Sequence, residues 1–509
     1  MQNNTAAPLD NTQTALNLPR HKGLMLEEKL LFEQSRKGSC GVDLPDPKKT
    51  LSRTGLPTRK AVGLPEVSEP QVVRHFVRLS QMNYSIDGGL FPLGSCTMKH
   101  NPRLNEKLAR LQGFSALHPL QPTSTTQGAL ELIYTLQNWL AELCGLPGIT
   151  LAPAAGAHGE LTGMLVIKKA LEARGEGENG GRPIVLVSDS AHGTNPATAR
   201  TCGFEIVSVP SGGDGLVDFA AFSELVQKYG TQIAAFMVTN PNTCGRFEKD
   251  ITRIADELHK IGAYFYCDGA NFNAIVGKVR PGDLGVDVMQ FNLHKTFSTP
   301  HGGGWPGCGP VAVTAELAPY LPIPKVVKTG NLFDLVTECP HSIGRIKAFH
   351  GHFGMMVRAL AYMMSHGADG LQKVAEDAVL NANYILHHLK DQFHVPFKGY
   401  CMHECLLTDK TFKEAHVSTL DIAKGLIEYG YHPMTVYFPL VVSGAMLIEP
   451  TETESKQSLD EFIATMRHLA NLAKTEGEET FKQFPLSTPR RRLDEVKAAR
   501  NPVLKWEAQ

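Results

Sequence analysis

Several features that define other protein classes are missing from this sequence of 509 residues. No run approaches the roughly 20 consecutive apolar side chains that a membrane helix requires, and residues 1–17 are polar and lack the apolar core of a signal peptide. The 50 basic and 51 acidic side chains nearly cancel, so no net field attracts nucleic acid or an anionic membrane. We therefore expect a cytoplasmic protein with no nucleic-acid partner and no membrane association.

Cysteine is present but follows no motif. The ten cysteines are scattered without a Cys-x-x-Cys, and the closest pair is Cys401 and Cys405. Disulfide and metal frameworks have tighter, repeated spacings, so we predict no metal site, and most of these cysteines are expected to be small buried apolar residues. The sequence also lacks internal repeats and low-complexity tracts. What remains is an ordinary globular chain long enough for two or three domains.

Residues 294–304 are polar and rich in glycine, and they follow a buried strand. Residues 287–293 are typical of a short buried strand, and Lys295 comes directly after it, ahead of the glycine run 302–304. About 27 residues upstream, another apolar strand at 263–266 leads to Asp268. In open α/β sheets, ligands bind outside the carboxyl ends of the strands. The sequence thus predicts an acid and an amine at one ligand-binding edge.

Pyridoxal phosphate chemistry requires such a pair. A lysine amine holds the aldehyde as a Schiff base, and a carboxylate keeps the pyridine nitrogen protonated so that the ring accepts electrons. Lys295 and Asp268 are the candidates. The spacing alone also fits a salt bridge between two strand ends. The glycine run 302–304 favours the cofactor site, because glycine allows close backbone approach and positive φ.

Strands and helices alternate over the same part of the chain, which predicts a mostly parallel sheet covered by helices. The strands are predicted at 183–188, 204–209, 233–239, 263–267, 287–293 and 310–314, and helices at 219–229 and 248–261. Four of the loops that follow strands are polar and chemically capable: 189–195, 239–243, 268–271 and 294–296. Polar loops collected at one edge of a sheet are typical of a binding site.

A second ligand signal precedes this region. Residues 154–160 are small and polar and open a helix that is predicted to run to about 173. The unpaired amides and the positive dipole end of such a helix form a phosphate cradle. The segment is neither a Walker motif nor Gly-x-Gly-x-x-Gly, so its signal is moderate.

The chain divides into three parts on this interpretation. Residues 1–90 form an N-terminal tail and arm, 91–350 a large α/β domain that binds pyridoxal phosphate, and 351–509 linking helices and a smaller C-terminal α/β domain. The proline-containing stretch 35–65 suits an extended arm that wraps a partner subunit. The loop 91–102, which bears Lys99, either lines a site or is an ordinary surface loop.

Six stretches together resemble the P-protein family of glycine decarboxylases, and within it the pyridoxal-phosphate-bearing subunit of the two-subunit form. They are Leu-Gly-Ser-Cys-Thr-Met-Lys (93–99), Ala-Gly-Ala-His-Gly-Glu (155–160), Asp-Ser-Ala-His-Gly-Thr-Asn-Pro-Ala (189–197), Asp-Gly-Ala-Asn (268–271), Asn-Leu-His-Lys-Thr-Phe (292–297) and Glu-Pro-Thr-Glu-Thr-Glu (449–454). The resemblance covers roughly residues 25–509. It implies an α/β, fold-type-I, aminotransferase-like transferase that depends on pyridoxal phosphate, with a mostly parallel central sheet.

The resemblance also implies roles for particular residues. Pyridoxal 5'-phosphate would be held on Lys295, with its ring nitrogen on Asp268 and the ring stacked by His158. The remaining implied site residues are the phosphate-holding amides near Gly156 and Ala157, and the lining residues Asn240, His192 and Thr194. Without the family, His158 could equally be a surface residue at a helix start. Trp305 and His100 depart from the family's sequence.

The implied activity is the decarboxylation of glycine, with transfer of the aminomethyl group to the lipoyl arm of H-protein. The implied partners are a homologous companion chain (subunit 1) in a heterotetramer, lipoylated H-protein and, functionally, T-protein and L-protein. Two alternatives stay open. One is another fold-type-I pyridoxal enzyme, either an aminotransferase or a different decarboxylase. The other is a non-catalytic P-protein-like subunit, against which the presence of Lys295 argues because the companion half lacks the lysine.

Overall fold

The computed structural model describes residues 28–42, 45, 57, 62–177, 181–301, 307–488 and 490–507. Two compact units divide the chain: one comprises 1–88 and 483–509, and the other comprises 89–482. The three-part division predicted from the sequence stays a prediction. Most of the predicted arm, and the glycine run with Trp305, lie outside the described residues.

A seven-stranded sheet forms the centre of the unit 89–482 and has the order β1-β7-β6-β5-β4-β2-β3. Its strands are β1 Gly148–Thr150, β2 Ile184–Ser188, β3 Glu205–Val209, β4 Ile233–Thr239, β5 Tyr264–Gly269, β6 Val288–Phe291 and β7 Val311–Val313. The pairs β3/β2, β2/β4, β4/β5 and β5/β6 are parallel, whereas β7 runs antiparallel to β6 and β1. The predicted mostly parallel sheet is therefore confirmed.

The α-helices flank this sheet or extend the chain at either end. In chain order they are α1 Leu31–Gln34, α2 Glu69–Met82, α3 Arg103–Ala109, α4 Gln112–Ser115, α5 Gln127–Cys144, α6 Gly156–Ala173, α7 Thr194–Thr201, α8 Phe219–Tyr229, α9 Ile251–Lys260, α10 Leu293–Thr296, α11 Phe353–Leu389, α12 Thr419–Glu428, α13 Lys456–Thr475, α14 Glu478–Gln483 and α15 Glu495–Arg500. Within the described ranges, every helix is too short or too polar to span a bilayer.

The sheet is buried on both faces, as its apolar strands require. All seven residues of β4 are buried. Because side chains alternate along a strand, Phe236 and Val238 pack into a core with α5, α9 and α11, while Ala235 and Met237 pack into a second core with α6. The result is a helix–sheet–helix sandwich whose polar strand ends are left at one edge.

A smaller antiparallel sheet follows and has the order β10-β12-β11, with β10 at Cys405–Thr408, β11 at Thr435–Val436 and β12 at Ala445–Ile448. The sequence predicts strands at 404–407 and 434–437 and helices at 419–428 and 456–474, and the structure confirms them as β10, β11, α12 and α13. The central strand β12 was missed, as was the hairpin of β8 Lys325–Thr329 and β9 Leu332–Val336. Periodicity alone does not distinguish a short apolar run such as 445–448 from a buried helix segment.

The helix α11 spans 37 residues but contains one break. At Gly367 the backbone has φ 63° and ψ −175°, which is not helical. The sequence predicts two helices here, at 353–364 and 371–389, and Gly367 lies between them. A glycine adopts such a conformation without the steric penalty of a Cβ, so the break agrees with the sequence.

Candidate active site

A cavity of about 240 Å³ lies at the carboxyl ends of β4, β5 and β6. Six of the eight predicted site residues line it: Lys295, Asp268, Gly156, Ala157, His192 and Thr194. They come from β5, from the starts of α6 and α7, from the loop before α7 and from α10. Separate parts of the chain therefore meet at this edge of the sheet. The predicted convergence of polar loops at one sheet edge is thus what the structure displays.

Asp268 lies near the end of β5 and is 2% exposed. Its Oδ1 accepts hydrogen bonds from the Ala270 N–H, at 2.9 Å, and from the Gln290 amide. Its Oδ2 accepts from Asn195 Nδ2 at 3.0 Å. These three donors fix the orientation of the carboxylate.

Lys295 lies on the single-turn helix α10, directly after β6. Its Nζ donates to the carbonyl oxygen of Ser95 at 2.8 Å. In the amide orientation that satisfies both of its polar atoms, Asn292 also accepts from Nζ, at 3.2 Å. The amine therefore reaches into the cavity from the strand end, held by a loop that is 200 residues away in sequence.

The first turn of α6 forms another wall of the cavity. Gly156 and Ala157 start this 18-residue helix, and no side chain caps it. Its first amides and the positive end of its dipole are suited to an anion. A side chain at Gly156 would not fit, because an added Cβ would lie 2.2 Å from the terminal amide group of Asn292.

The other two predicted residues, His158 and Asn240, are not among those that line the cavity. His158 is half-buried, its Nδ1 accepts from the Ala154 N–H at 3.2 Å, and burial lowers its pKa. Asn240 is buried, and its Oδ1 accepts from the Glu248 N–H at 3.0 Å. The roles given to these two residues, ring stacking and site lining, stay predictions.

Three residues that sequence reasoning missed surround Asp268: Glu160, Asn195 and Gln290. Glu160 is 4% exposed and accepts from Thr194 Oγ1 at 2.8 Å and Asn195 Nδ2 at 3.0 Å. Burial, and then the charge of Asp268, raise the pKa of Glu160 to about 7. Gln290 is the cross-strand partner of Asp268. A glutamine within the apolar strand β6 was the available signal, since a buried polar side chain needs a partner.

Three further lining residues have a buried polar atom without a partner among the residues that the structure describes: Thr239 Oγ1, Asn271 Oδ1 and His294 Nδ1. Buried polar groups are nearly always hydrogen-bonded in folded proteins. A polar group bound in the cavity would supply these partners. The cavity thus fits a ligand that combines an anionic group, an aldehyde for Lys295 and a ring nitrogen for Asp268.

The loop 91–102 belongs to the site and is not an ordinary surface loop. Ser95 lines the cavity, and Lys99 is only 3% exposed. Lys99 Nζ donates to Glu452 Oε1 at 2.6 Å, to Asn273 Oδ1 at 2.9 Å and to the Thr296 carbonyl at 2.8 Å. Burial lowers the pKa of Lys99, and the Glu452 charge opposes that shift. Lys99 is therefore a structural cation, committed to acceptors next to Lys295.

Two family models match this chain. One, described as glycine dehydrogenase, C-terminal domain, matches residues 374–486. The other, described as aminotransferase class-V, matches residues 165–329 and covers most of the strands around the cavity.

Solved structures share the architecture. Glycine decarboxylase (P-protein) of the glycine cleavage system, in inhibitor-bound form, aligns with a TM-score of 0.67 and 21% identity over 83% of this chain and 93% of that chain. Oryza sativa TDC with PLP and tryptamine aligns with a TM-score of 0.60 and 16% identity over 85% and 92%. At these identities the likeness shows the fold, which is the predicted fold-type-I, aminotransferase-like one.

Similarity to curated proteins extends over nearly the whole chain. The probable glycine dehydrogenase (decarboxylating) subunit 2 of Caulobacter vibrioides is 58% identical over 496 residues, which covers 96% of this chain and 93% of that protein. The corresponding protein of Thermotoga maritima is 49% identical over 481 residues, covering 94% and 99%. The chain, with Lys295 and Asp268 in one cavity, belongs to the family of glycine dehydrogenase (decarboxylating) subunit 2.

Proposed function

We propose that this chain decarboxylates glycine with pyridoxal 5'-phosphate and transfers the remaining aminomethyl group to the lipoyl arm of H-protein. The observation that carries the proposal is the pairing of Lys295 and Asp268 in one cavity of a chain from this family. In the net reaction, the glycine carboxylate leaves as carbon dioxide. The aminomethyl carbon bonds to one sulfur of the lipoyl disulfide, and the other sulfur is reduced to a thiol.

The proposal assigns the cofactor to groups that fit it. Pyridoxal phosphate, when bound, supplies an electron sink for the bonds at the amino-acid Cα. Lys295 Nζ would hold its aldehyde, and the amides at the start of α6 would hold its phosphate. Asp268 Oδ2 has one protein donor, Asn195. A carboxylate oxygen has two acceptor sites, so Oδ2 keeps one for the pyridine N–H.

The proposal keeps the predicted roles of the surrounding side chains. His158 would stack on the ring, and Asn240, His192 and Thr194 would complete the site. His192 is exposed and also lines the cavity, so the cavity reaches the protein surface there. A substrate tethered to a carrier needs such an opening, since it enters on an arm and must leave the same way.

A companion chain, subunit 1, is the second part of the proposal. In the unit formed by 1–88 and 483–509, large apolar side chains are exposed on the helix α2 and along the C-terminal segment: Val73, Phe76, Val77, Leu493, Val496, Val503 and Leu504. Apolar patches of this kind mark protein–protein interfaces. We propose a heterotetramer with two copies of each chain, located in the cytoplasm, with T-protein and L-protein as functional partners.

The test is an assay of the chain copurified with its companion. Carbon dioxide released from carboxyl-labelled glycine should depend on lipoylated carrier, and other amino acids should not replace glycine. Borohydride reduction followed by peptide mapping should label Lys295. A reductive label on Lys99 or Lys328, or release from another amino acid at the same rate, would contradict the assignment.

The matched variant is Lys295→Ala, which removes the amine that the proposal requires. We expect it to lose the chromophore and essentially all carbon dioxide release, a fall far beyond tenfold. The control is Lys328→Ala, because Lys328 is an exposed lysine on the hairpin strand β8. That variant should keep the wild-type rate.

A further inference from the structure

The loop Leu93–Lys99 contains two residues in a strained backbone conformation. Ser95 has φ 60° and Thr97 has φ 50°. A residue with a Cβ in this left-handed region costs about 1–2 kcal/mol. Such a conformation persists only where surrounding contacts determine it, and strained residues cluster at functional sites. The contacts of Ser95 and Thr97 must therefore hold the loop in this conformation.

Two fully buried glutamates make those contacts. Glu404 accepts from the Ser95 N–H at 2.7 Å and from Ser95 Oγ at 3.1 Å. Glu449 accepts from the Thr97 N–H at 2.9 Å and from Thr97 Oγ1 at 2.6 Å. Each strained residue thus binds one buried carboxylate through both its amide and its hydroxyl. We call Glu404 and Glu449 the carboxylate clamp.

The small sheet places the two glutamates side by side. Glu404 immediately precedes β10 and Glu449 immediately follows β12, and these antiparallel strands pair Cys405 with Ile448. The next pair outward is therefore Glu404 and Glu449. Two carboxylates buried so close together disfavour each other's charge, and burial is the larger cause of the raised pKa of Glu404. All four carboxylate oxygens of this costly arrangement accept from Ser95 or Thr97.

The strained loop presents a backbone acceptor to the cavity. The Ser95 carbonyl, the next polar group after the clamped amide, accepts from Lys295 Nζ at 2.8 Å. At the end of the same loop, Lys99 donates to the carbonyl of Thr296, the residue after Lys295. The loop therefore contacts the lysine at its amine and at its backbone turn. A shift of Ser95 would displace the acceptor, and Nζ would lose its partner.

We propose that the carboxylate clamp makes the Ser95 carbonyl the receiving position for the Lys295 amine whenever that amine is not joined to the cofactor aldehyde. Glu404 and Glu449 are then positioning residues for Lys295, which they do not touch. The inference rests on the proposed function. Joining forms a C=N bond between Nζ and the aldehyde carbon, and the aldehyde oxygen leaves as water with the two hydrogens of the neutral amine. An amine held at the Ser95 carbonyl has a defined position before the C=N bond forms. It returns to the same position after that bond is hydrolysed.

The experiment follows the chromophore as cofactor is added back to the full chain, copurified with its companion and stripped of pyridoxal phosphate. In Glu404→Gln and Glu449→Gln, an amide NH₂ replaces one acceptor oxygen and faces the donors of Ser95 or Thr97. We expect the chromophore to appear about tenfold more slowly in each variant, equivalent to about 1.4 kcal/mol of barrier. The label should still be on Lys295, and kcat should fall more than KM for glycine changes.

The control is Asp409→Asn. Asp409 accepts from the Thr419 N–H at 3.0 Å and from Thr419 Oγ1 at 3.1 Å, which is the same amide-and-hydroxyl contact at a carboxylate that does not line the cavity. Its rate of chromophore formation should be that of the wild type. If a clamp variant does not fold, Ser95→Ala and Thr97→Val remove only the hydroxyl contact. They should slow the step about three- to tenfold.

Wild-type rates of chromophore formation in both clamp variants, or in the two hydroxyl variants if only these fold, would overturn the inference. So would a stoichiometric metal ion retained by the wild type and lost in Glu449→Gln, because His403 Nε2 lies 3.7 Å from Glu449 Oε1 and the three side chains together could hold an ion. A wild-type chain that forms no chromophore on Lys295 would instead contradict the proposed function, and the inference with it.

Discussion

Asp268 and Glu160 are two buried carboxylates joined by a single amide group. Asn195 Nδ2 donates to Glu160 Oε2 at 3.0 Å and to Asp268 Oδ2 at 3.0 Å. The two acids differ in their other partners, since Gln290 and the Ala270 N–H donate to Asp268. Burial, and then the charge of Asp268, raise the pKa of Glu160, so this acid binds a proton more readily than an exposed glutamate does.

Asp268→Asn tests the charge at this position. A neutral amide cannot hold the pyridine proton through a charge-assisted hydrogen bond. We expect the variant to keep its cofactor on Lys295 and to lose well over tenfold in turnover, that is more than about 1.4 kcal/mol of barrier. Near-normal turnover measured by glycine-dependent carbon dioxide release would show that another acid serves the ring nitrogen.

Glu160→Gln should change how stability depends on pH. The pKa of Glu160 is raised from 4.5 to about 7 in the folded chain, so the folded state binds its proton more tightly than the unfolded state does. The stability that this proton supplies is fully present below about pH 4.5 and is lost as the pH rises through about 7. Glutamine resembles the protonated acid and does not titrate.

The variant should therefore match the wild type near pH 5 and gain on it by about 1–3 kcal/mol near pH 8. Urea unfolding of both proteins at the two pH values measures this difference. An unchanged difference between wild type and variant across that interval would show that Glu160 is ionised throughout.

At the scale of single elements, the start of α6 is the most constrained part of the site. The Gly156→Ala variant should be less stable by about 1–3 kcal/mol, the usual cost of overpacking, and should bind pyridoxal phosphate more weakly. The added methyl group would collide with Asn292, which lies beside Lys295. Thermal unfolding and a cofactor titration give the two quantities.

Gly128→Ala is the control for this variant, because a Cβ added there, near the start of α5, meets nothing within 4 Å. It should leave cofactor binding unchanged and make the helix up to about 1 kcal/mol more stable. Equal losses of cofactor affinity in both variants would show that the effect is not specific to Gly156.

The elements could be predicted from the sequence where apolar runs alternate with helical segments. The strands β2 to β6 and their polar ends followed from apolar runs separated by helical spacing, and so did the positions of Lys295 and Asp268. The short strand β12 was not readable. Neither was the contact of Lys295 with Ser95, since it joins residues 200 apart. Pairings over such distances depend on the tertiary fold, and no local periodicity encodes them.

At the scale of the whole molecule, the unit formed by the two ends of the chain exposes many large apolar side chains for its size. Phe76 is 56% exposed and Val73 53% exposed on α2. An isolated chain would leave this surface in water. We expect the homologous partner chain to bind at this surface.

Phe76→Ser should weaken association with the companion chain by about fivefold or more, the effect of losing at least about 1 kcal/mol at an interface residue. Sedimentation of the mixed chains over a concentration series measures it. Leu380→Ser is the control, because Leu380 is 64% exposed on α11 in the other unit. Equal weakening by the two changes, or none by Phe76→Ser, would place the contact surface elsewhere.

The contact between Thr97 and Glu449 also has a consequence for the order of events on the ribosome. The two residues are separated by 352 positions, so the loop emerges long before the glutamate that holds it. At about 5–20 residues per second, the delay is roughly 20–70 s. The parallel strands β2 to β6 can be assembled during that interval. Lys295 itself emerges 154 positions before Glu449, so a nascent chain carries this lysine for roughly 8–30 s before the loop that contacts its amine can be held in place.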